Sequence, residues 1–168
     1  MFTSVGQVRA TPKIIPTSDS KVSAYCADPR FKKSGVENWT CKACAAYPGM
    51  EATTFTSKKD TNGYVGYYPT DNEIVIAFSG TNPFDIQEWI DDLDFIKTEY
   101  PYCTGCYVHE GFYKTFLAAK DEIINLTNSY MAKYPTATVT CTGHSLGAGM
   151  RIICFDIHHV MSGLCVCV

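Results

Sequence analysis

The stretch from residue 137 to residue 147 reads Ala-Thr-Val-Thr-Cys-Thr-Gly-His-Ser-Leu-Gly, and it decides the fold. The first six residues are rich in β-branched side chains, which predicts a strand. Residues Gly143–Gly147 fit the Gly-x-Ser-x-Gly pattern of a nucleophile elbow, a sharp turn between a strand and a helix. Glycines are needed around Ser145 because the strand and the helix pass too close for a Cβ atom. The alternative is an ordinary glycine-bounded turn whose serine has no chemistry.

Elements upstream of this turn predict the sheet to which it belongs. Gly63–Tyr68 and Glu73–Phe78 are apolar segments joined by the turn residues 69–72, so we expect a hairpin. The second strand is nearly all apolar, which is typical of a strand buried on both faces. Phe112–Lys133 has the spacing of one long amphipathic helix. Strand, long helix, strand and elbow form a crossover unit, which predicts an α/β sheet with flanking helices.

Three further segments are predicted to be helical. The residues from Asp19 to Ala27 could form a short helix, and Leu146 to His159 could form the helix after the elbow. The segment from Asn82 to Phe95 carries a helix-like apolar stripe. No repeat or low-complexity stretch interrupts these elements, so we expect one domain over residues 1–168.

Composition limits the classes of function. Hydrophobic residues make up 46% of the 168 positions, and the formal net charge is −3 without any cluster of basic residues. A nucleic-acid-binding surface is therefore not expected. No apolar run approaches the ~18–20 residues that span a bilayer, which predicts no transmembrane segment. The first ten residues lack the apolar core of a signal peptide.

The nine cysteines include two Cys-x-x-Cys pairs, Cys41/Cys44 and Cys103/Cys106. Two disulfides within loops are the favoured interpretation, whereas a four-thiolate zinc site or free thiols remain alternatives. No other metal signature is present, so neither a metal nor a cofactor is predicted. Asn-x-Thr sequons at Asn38 and Asn125 favour an oxidising, secretory environment in the same way.

The chain resembles the class 3 lipases, the fungal triacylglycerol lipase family, from about residue 20 to about residue 157. The resemblance rests on the order and spacing of four stretches: Ala24–Cys26, Phe78–Thr81, Val108–Phe112 and Thr142–Ala148. It implies an α/β-hydrolase-like sheet with flanking helices, of which the C-terminal part is missing from this chain. It also implies hydrolysis of carboxylic esters at a lipid–water interface.

Site residues follow from the same resemblance. Ser145 would be the catalytic nucleophile, and its attack would pass through an acyl-enzyme. The oxyanion would be bound by the N–H and hydroxyl of Thr81 and by the N–H of Leu146. A backbone N–H at a helix N-terminus is suited to this role because the helix dipole points its positive end at the developing charge.

The family places a lid after the first oxyanion turn, which corresponds to Asn82 through about Glu88 here. Phe84, Ile86 and Trp89 could face either protein or lipid. The alternative is a surface helix whose apolar face simply packs on the core. A lid requires a second conformation, which a sequence does not reveal.

The triad acid and base have no counterpart in this chain. His144 adjoins the nucleophile, His109 resembles a structural histidine, and Asp156 falls on the helix after the elbow. In this fold the acid and base follow the serine, yet only 23 residues (168 − 145) follow Ser145. The family's aspartate and histidine lie beyond position 168. We therefore expect the 168-residue chain to be close to inactive.

The sequence is compatible with several functions. The leading interpretation is a triacylglycerol lipase, and the alternative is a feruloyl-type or general esterase of the same family. A non-catalytic lipase-like binding protein or a defective fragment is the alternative from another class. The cysteines, the sequons and the family favour a secreted protein or one in a vesicular or lysosomal lumen, although no signal peptide is present.

Overall fold

The computed structural model describes residues 35–41, 43–57, 61–79, 96–102, 104–143 and 146–161, with the backbone alone at 43 and from 155 to 161. The helices predicted for Asp19–Ala27 and Asn82–Phe95 lie outside these residues. Within them the strands are β1 (Glu51–Thr56), β2 (Asn62–Tyr68), β3 (Glu73–Phe78), β4 (Lys97–Glu99), β5 (Tyr107–His109) and β6 (Thr138–Gly143). The helices are α1 (Glu110–Leu117), α2 (Lys120–Lys133) and α3 (Leu146–Met161), with a 3₁₀ turn at Ala43–Ala46.

The larger sheet has the order β1-β2-β3-β6, and β4 pairs with β5 in a separate ribbon. β2 and β3 are antiparallel and are joined by a tight turn in which Asn72 adopts a φ of 49°. Asparagine is one of the few residues that tolerate this left-handed conformation. The predicted hairpin is therefore confirmed.

β3 and β6 are parallel neighbours, with Phe78 paired to Gly143 at their carboxyl ends. Parallel neighbours need a long crossover connection, and here it contains β4, β5, α1 and α2. The predicted crossover unit is confirmed. Because both strands run the same way, their carboxyl ends open at one edge of the sheet.

β3 divides two hydrophobic cores, since all six of its residues are buried. Ile74, Ile76 and Phe78 face the core that includes Phe116 of α1, Ile123 of α2 and Met150 of α3. The alternate residues Val75 and Ala77 face a second core formed with the segment 36–50 and β2. The near-continuous apolar sequence of β3 follows from this burial on both faces.

The single helix predicted for Phe112–Lys133 is wrong in one respect. Two helices occupy this segment, separated at Ala118 and Ala119. The Ala119 N–H donates to the Phe116 carbonyl in a tighter turn, and the Ala119 side chain is buried in the first core. Alanine is the strongest helix former, so local preference does not predict the break. Packing of the turn on the sheet accounts for it.

Three strands had no counterpart in the sequence predictions. β4 and β5 have only three residues each, too few to display an alternating pattern. β1 reads Glu-Ala-Thr-Thr-Phe-Thr and buries only Phe55 fully, so its apolar signal is weak. Such strands form because they pair with neighbouring strands, and a local sequence pattern does not show which strands will be neighbours.

Candidate active site

The turn between β6 and α3 is tightly closed by its two flanking glycines. A Cβ atom on Gly143 would lie 2.2 Å from the Gly147 carbonyl oxygen and 2.9 Å from its Cα. These are backbone atoms, which do not move aside as a side chain can. The last residue of the strand and the second residue of the helix therefore touch backbone to backbone. This contact is the physical reason for the Gly-x-Ser-x-Gly spacing.

The first turn of α3 also packs directly against the end of β3. A Cβ atom on Gly147 would lie 2.6 Å from the Phe78 carbonyl oxygen and 2.9 Å from that of Ser79. Gly147 thus brings the elbow helix against the neighbouring parallel strand. β6, which precedes Ser145, and β3, which precedes Thr81, both end beside this contact.

A third glycine, Gly149, fits α3 against α1. A Cβ atom at this position would lie 2.6 Å from Cδ2 of Phe112. Phe112 is itself positioned by His109, whose ring lies 4.5 Å from the Phe112 ring between centroids. His109 is the N-cap residue of α1, because its Nδ1 accepts a hydrogen bond from the Phe112 N–H at 3.4 Å. This supports the structural role that the resemblance implies for His109.

Leu146 is the first residue of α3, and its partly buried side chain packs against the first core. The first four N–H groups of a helix have no acceptor within the helix. The Leu146 N–H is one of these donors, and no acidic residue occupies the first turn of α3. The positive end of the helix dipole therefore lies at the elbow without a neutralising carboxylate in that turn.

Most of the predicted site residues lie outside the described part of the chain. These are the nucleophile Ser145, the oxyanion residue Thr81 and the lid positions Asn82, Phe84, Ile86 and Trp89. Leu146 is described, and so are the residues on either side of the elbow. The pairing of Phe78 with Gly143 places the starting points of the two predicted site segments side by side.

Two residues that support this region were not singled out as site residues from sequence. Phe112 fills the space left by Gly149, and the carbonyl of Phe78 lies against Gly147. The sequence signal that could have pointed to these contacts was Gly149, a second glycine two residues after Gly147 in the same helix. A glycine inside a helix lowers stability by about 1 kcal/mol relative to alanine, so its presence calls for a packing reason.

The described cysteines of the two Cys-x-x-Cys pairs are disulfide-bonded. Cys41 and Cys44 form a disulfide, which confirms the favoured interpretation of the first Cys-x-x-Cys pair. Cys106 is also disulfide-bonded. Within the described residues no group of three or more potential metal ligands comes together. The thiolates of Cys41 and Cys44 are therefore not available to zinc in this structure.

Two buried free thiols lie behind the elbow, Cys141 on β6 and Cys154 on α3. Burial raises the pKa of the Cys154 thiol well above its usual value, and the adjacent Cys141 raises the pKa further. Only the thiolate is nucleophilic, so a raised pKa keeps this cysteine inert.

We expect Cys154 to resist iodoacetamide at pH 8 while the chain is folded, and to react after unfolding in guanidinium. Peptide mass spectrometry of the two samples measures this directly. The Cys41–Cys44 disulfide, left unreduced, is the internal control and should remain unmodified in both. Equal labelling of Cys154 in folded and unfolded chain would contradict the described burial.

Solved structures identify the class of fold. A structure of the Rhizomucor miehei triacylglyceride lipase superposes with a TM-score of 0.71 at 29% identity, covering 85% of this chain and 53% of that one. Lipase II from Rhizopus niveus superposes with a TM-score of 0.69 at 30% identity, covering 82% and 51%. The sheet and its flanking helices are therefore those of an α/β-hydrolase fold.

Sequence comparison then gives the family. Residues 75–159 match the family model described as Lipase (class 3). A lipase of Rhizomucor miehei is 32% identical over 129 residues, which are 75% of this chain and 35% of that protein. Secreted mono- and diacylglycerol lipase A of Penicillium camembertii is 32% identical over 94 residues, 56% of this chain and 30% of that protein. The chain belongs to the class 3 lipase family of serine lipases, and it spans about a third of the length of these curated relatives.

Proposed function

We propose that Ser145 is the nucleophile of a carboxylic ester hydrolase whose substrates are acylglycerols. The observation that carries this proposal is the backbone contact between Gly143 and Gly147, which leaves only residues 144 and 145 to turn the chain from strand to helix. A turn this sharp is what presents a serine hydroxyl at the carboxyl end of a sheet. The names of the relatives supply the substrate class.

In the proposed reaction the Ser145 hydroxyl oxygen attacks the ester carbonyl, and the carbonyl oxygen becomes an oxyanion. The Leu146 N–H and the N–H and hydroxyl of Thr81 would donate hydrogen bonds to it. Each donor of this kind is worth about 3–4 kcal/mol in a serine hydrolase. The contact between Gly147 and the Phe78 carbonyl supports the pairing of these donors, because it holds the two chain segments together.

The proton on the Ser145 hydroxyl needs a base. The resemblance to the family assigns neither the acid nor the base to an aspartate or histidine of this chain. We therefore propose that the 168-residue chain by itself reacts poorly. A fluorophosphonate probe tests this on the chain as printed, and weak labelling is expected. Strong labelling that disappears in Ser145→Ala would overturn the proposal of inactivity while supporting the nucleophile.

The segment from Asn82 through about Glu88, with Trp89 after it, is proposed as a lid over the site. A fungal lipase–inhibitor complex, one of the similar solved structures, is described as providing a model for interfacial activation in lipases. A lid exposes apolar residues when it opens, and Phe84, Ile86 and Trp89 would provide them here.

Among the helices of the described residues, none has the length and apolar character of a membrane span.

The second candidate function is a general or feruloyl-type esterase of the same family, which would use the same elbow and the same sheet. A gene product that contains this chain together with the acid and base separates the two. We expect faster hydrolysis of emulsified long-chain triglyceride than of soluble short-chain esters, with a rise in rate when the substrate exceeds its solubility. Equal or faster hydrolysis of the soluble esters would remove the lipase assignment.

We also propose that the protein is secreted. The oxidised loop cysteines support this, since disulfides persist in oxidising compartments. The similar mono- and diacylglycerol lipases of two Penicillium species are described as secreted.

A further inference from the structure

The two Asn-x-Thr sequons differ sharply in structural context. Asn38-Trp39-Thr40 lies in a turn before the 3₁₀ segment, whereas Asn125-Leu126-Thr127 lies inside α2. Both asparagines are exposed, so exposure of the acceptor does not distinguish them. The threonine does, because the hydroxyl two residues after the asparagine is the other fixed part of the acceptor sequence.

Asn38 lies at the tip of a tight turn. The Trp39 N–H donates to the Val36 carbonyl at 3.0 Å, and the Thr40 N–H donates to the Gly35 carbonyl at 2.7 Å. Trp39 adopts a φ of 51°, which reverses the chain immediately after the asparagine. The backbone of the sequon therefore lies in a turn and belongs to neither a helix nor a strand.

The neighbours of Asn38 hold this turn on the protein. Val36 is buried in the second core, and the Trp39 indole Nε1–H donates to the Tyr47 carbonyl at 2.7 Å. The Trp39 ring also contacts the Tyr64 ring edge to face, with 5.6 Å between centroids. Because Val36 and Trp39 hold the turn on the protein while Asn38 itself is exposed, the Asn38 side chain can carry a large polar group without displacing packed atoms.

The two threonine hydroxyls are in opposite situations. Thr40 is exposed, and its hydroxyl makes only a long 3.5 Å contact to the Gly35 carbonyl. Thr127 is buried, and its hydroxyl donates to the Ile123 carbonyl one helical turn earlier at 2.7 Å. The Thr127 hydroxyl is therefore already hydrogen-bonded within α2.

We propose that Asn38 carries an N-linked glycan and that Asn125 does not. In this transfer the Asn38 side-chain nitrogen forms a bond to the anomeric carbon of an oligosaccharide carried on a lipid diphosphate. The bond from that carbon to the diphosphate oxygen breaks, the lipid diphosphate leaves, and the amide releases one proton to solvent. The proposal rests on entry into the secretory pathway, as proposed above, and not on ester hydrolysis.

The test directs the 168-residue chain into the secretory lumen of a eukaryotic host with a cleavable signal peptide. A failure of the site is then distinguishable from a failure of the natural protein to be secreted. Peptide-N-glycosidase should increase the electrophoretic mobility of the chain and convert residue 38, and not residue 125, to aspartate in peptide mass spectra. Asn38→Gln should abolish the mobility change, and Asn125→Gln should leave it intact.

Thr40 provides the matched variants. Thr40→Ala should abolish the glycan, whereas Thr40→Ser, which keeps the hydroxyl, should retain it. A glycan on Asn125 of the unaltered chain, or no glycan at Asn38, would each overturn the structural argument. Readout on denatured protein makes the result independent of folding yield.

Discussion

Replacing Ser145 with alanine should lower kcat for ester hydrolysis by on the order of 10⁶ in a gene product that contains this chain together with the acid and base. Loss of the nucleophile in a serine hydrolase has an effect of this size, and the remaining oxyanion donors and substrate binding give only a residual rate. On the 168-residue chain, whatever fluorophosphonate labelling is detected should be lost. Initial rates on a soluble ester and gel detection of the probe provide the two measurements.

A matched control for this substitution is Ser129→Ala. Ser129 is an exposed serine of α2 whose hydroxyl donates to the Asn125 carbonyl at 2.9 Å. Its removal should leave both the rate and the labelling unchanged. Retention of activity or labelling in Ser145→Ala, with a fold that matches the parent by circular dichroism, would show that another residue is the nucleophile.

Gly147→Ala should lower the free energy of unfolding by about 2 kcal/mol and reduce catalysis with it. Helix preference alone predicts the opposite, because alanine at a helix position is favoured over glycine by about 1 kcal/mol. The new Cβ atom would lie 2.6 Å and 2.9 Å from the carbonyl oxygens of Phe78 and Ser79. Moving α3 away from β3 to relieve this clash displaces the turn that carries Ser145. Urea titration of both proteins gives the difference in stability.

Gly149→Ala is the control in the same helix. Its Cβ atom would also be close to its neighbour, at 2.6 Å, but that neighbour is the ring of Phe112, a side chain that is only partly buried. A ring can shift where a backbone carbonyl cannot, so the loss should be smaller than for Gly147→Ala. A Gly147→Ala protein more stable than the parent by the helix-preference difference would show that α3 does not press on β3.

The local patterns predicted the central part of the fold. The continuous apolar run of β3, the turn residues after β2 and the β-branched residues of β6 each predicted a strand that is present. Those patterns are strong because the strands are buried, and burial selects apolar side chains at every position or at alternate positions. The two-helix arrangement between Glu110 and Lys133 was not predicted, because its break consists of two alanines whose local preference is helical.

Four stretches of sequence together indicated the family, and the Gly-His-Ser-Leu-Gly motif among them indicated the proposed nucleophile, since only a glycine-flanked turn admits a strand and a helix so close together. It also indicated the type of reaction, which the names of the relatives support. Tertiary structure decided what the motif packs against: Gly147 meets the end of β3, and Gly149 receives Phe112, which is positioned by His109. It also decided which sequon presents a reachable hydroxyl. These contacts join residues far apart in the chain, and distances of that kind depend on packing rather than on local sequence preference.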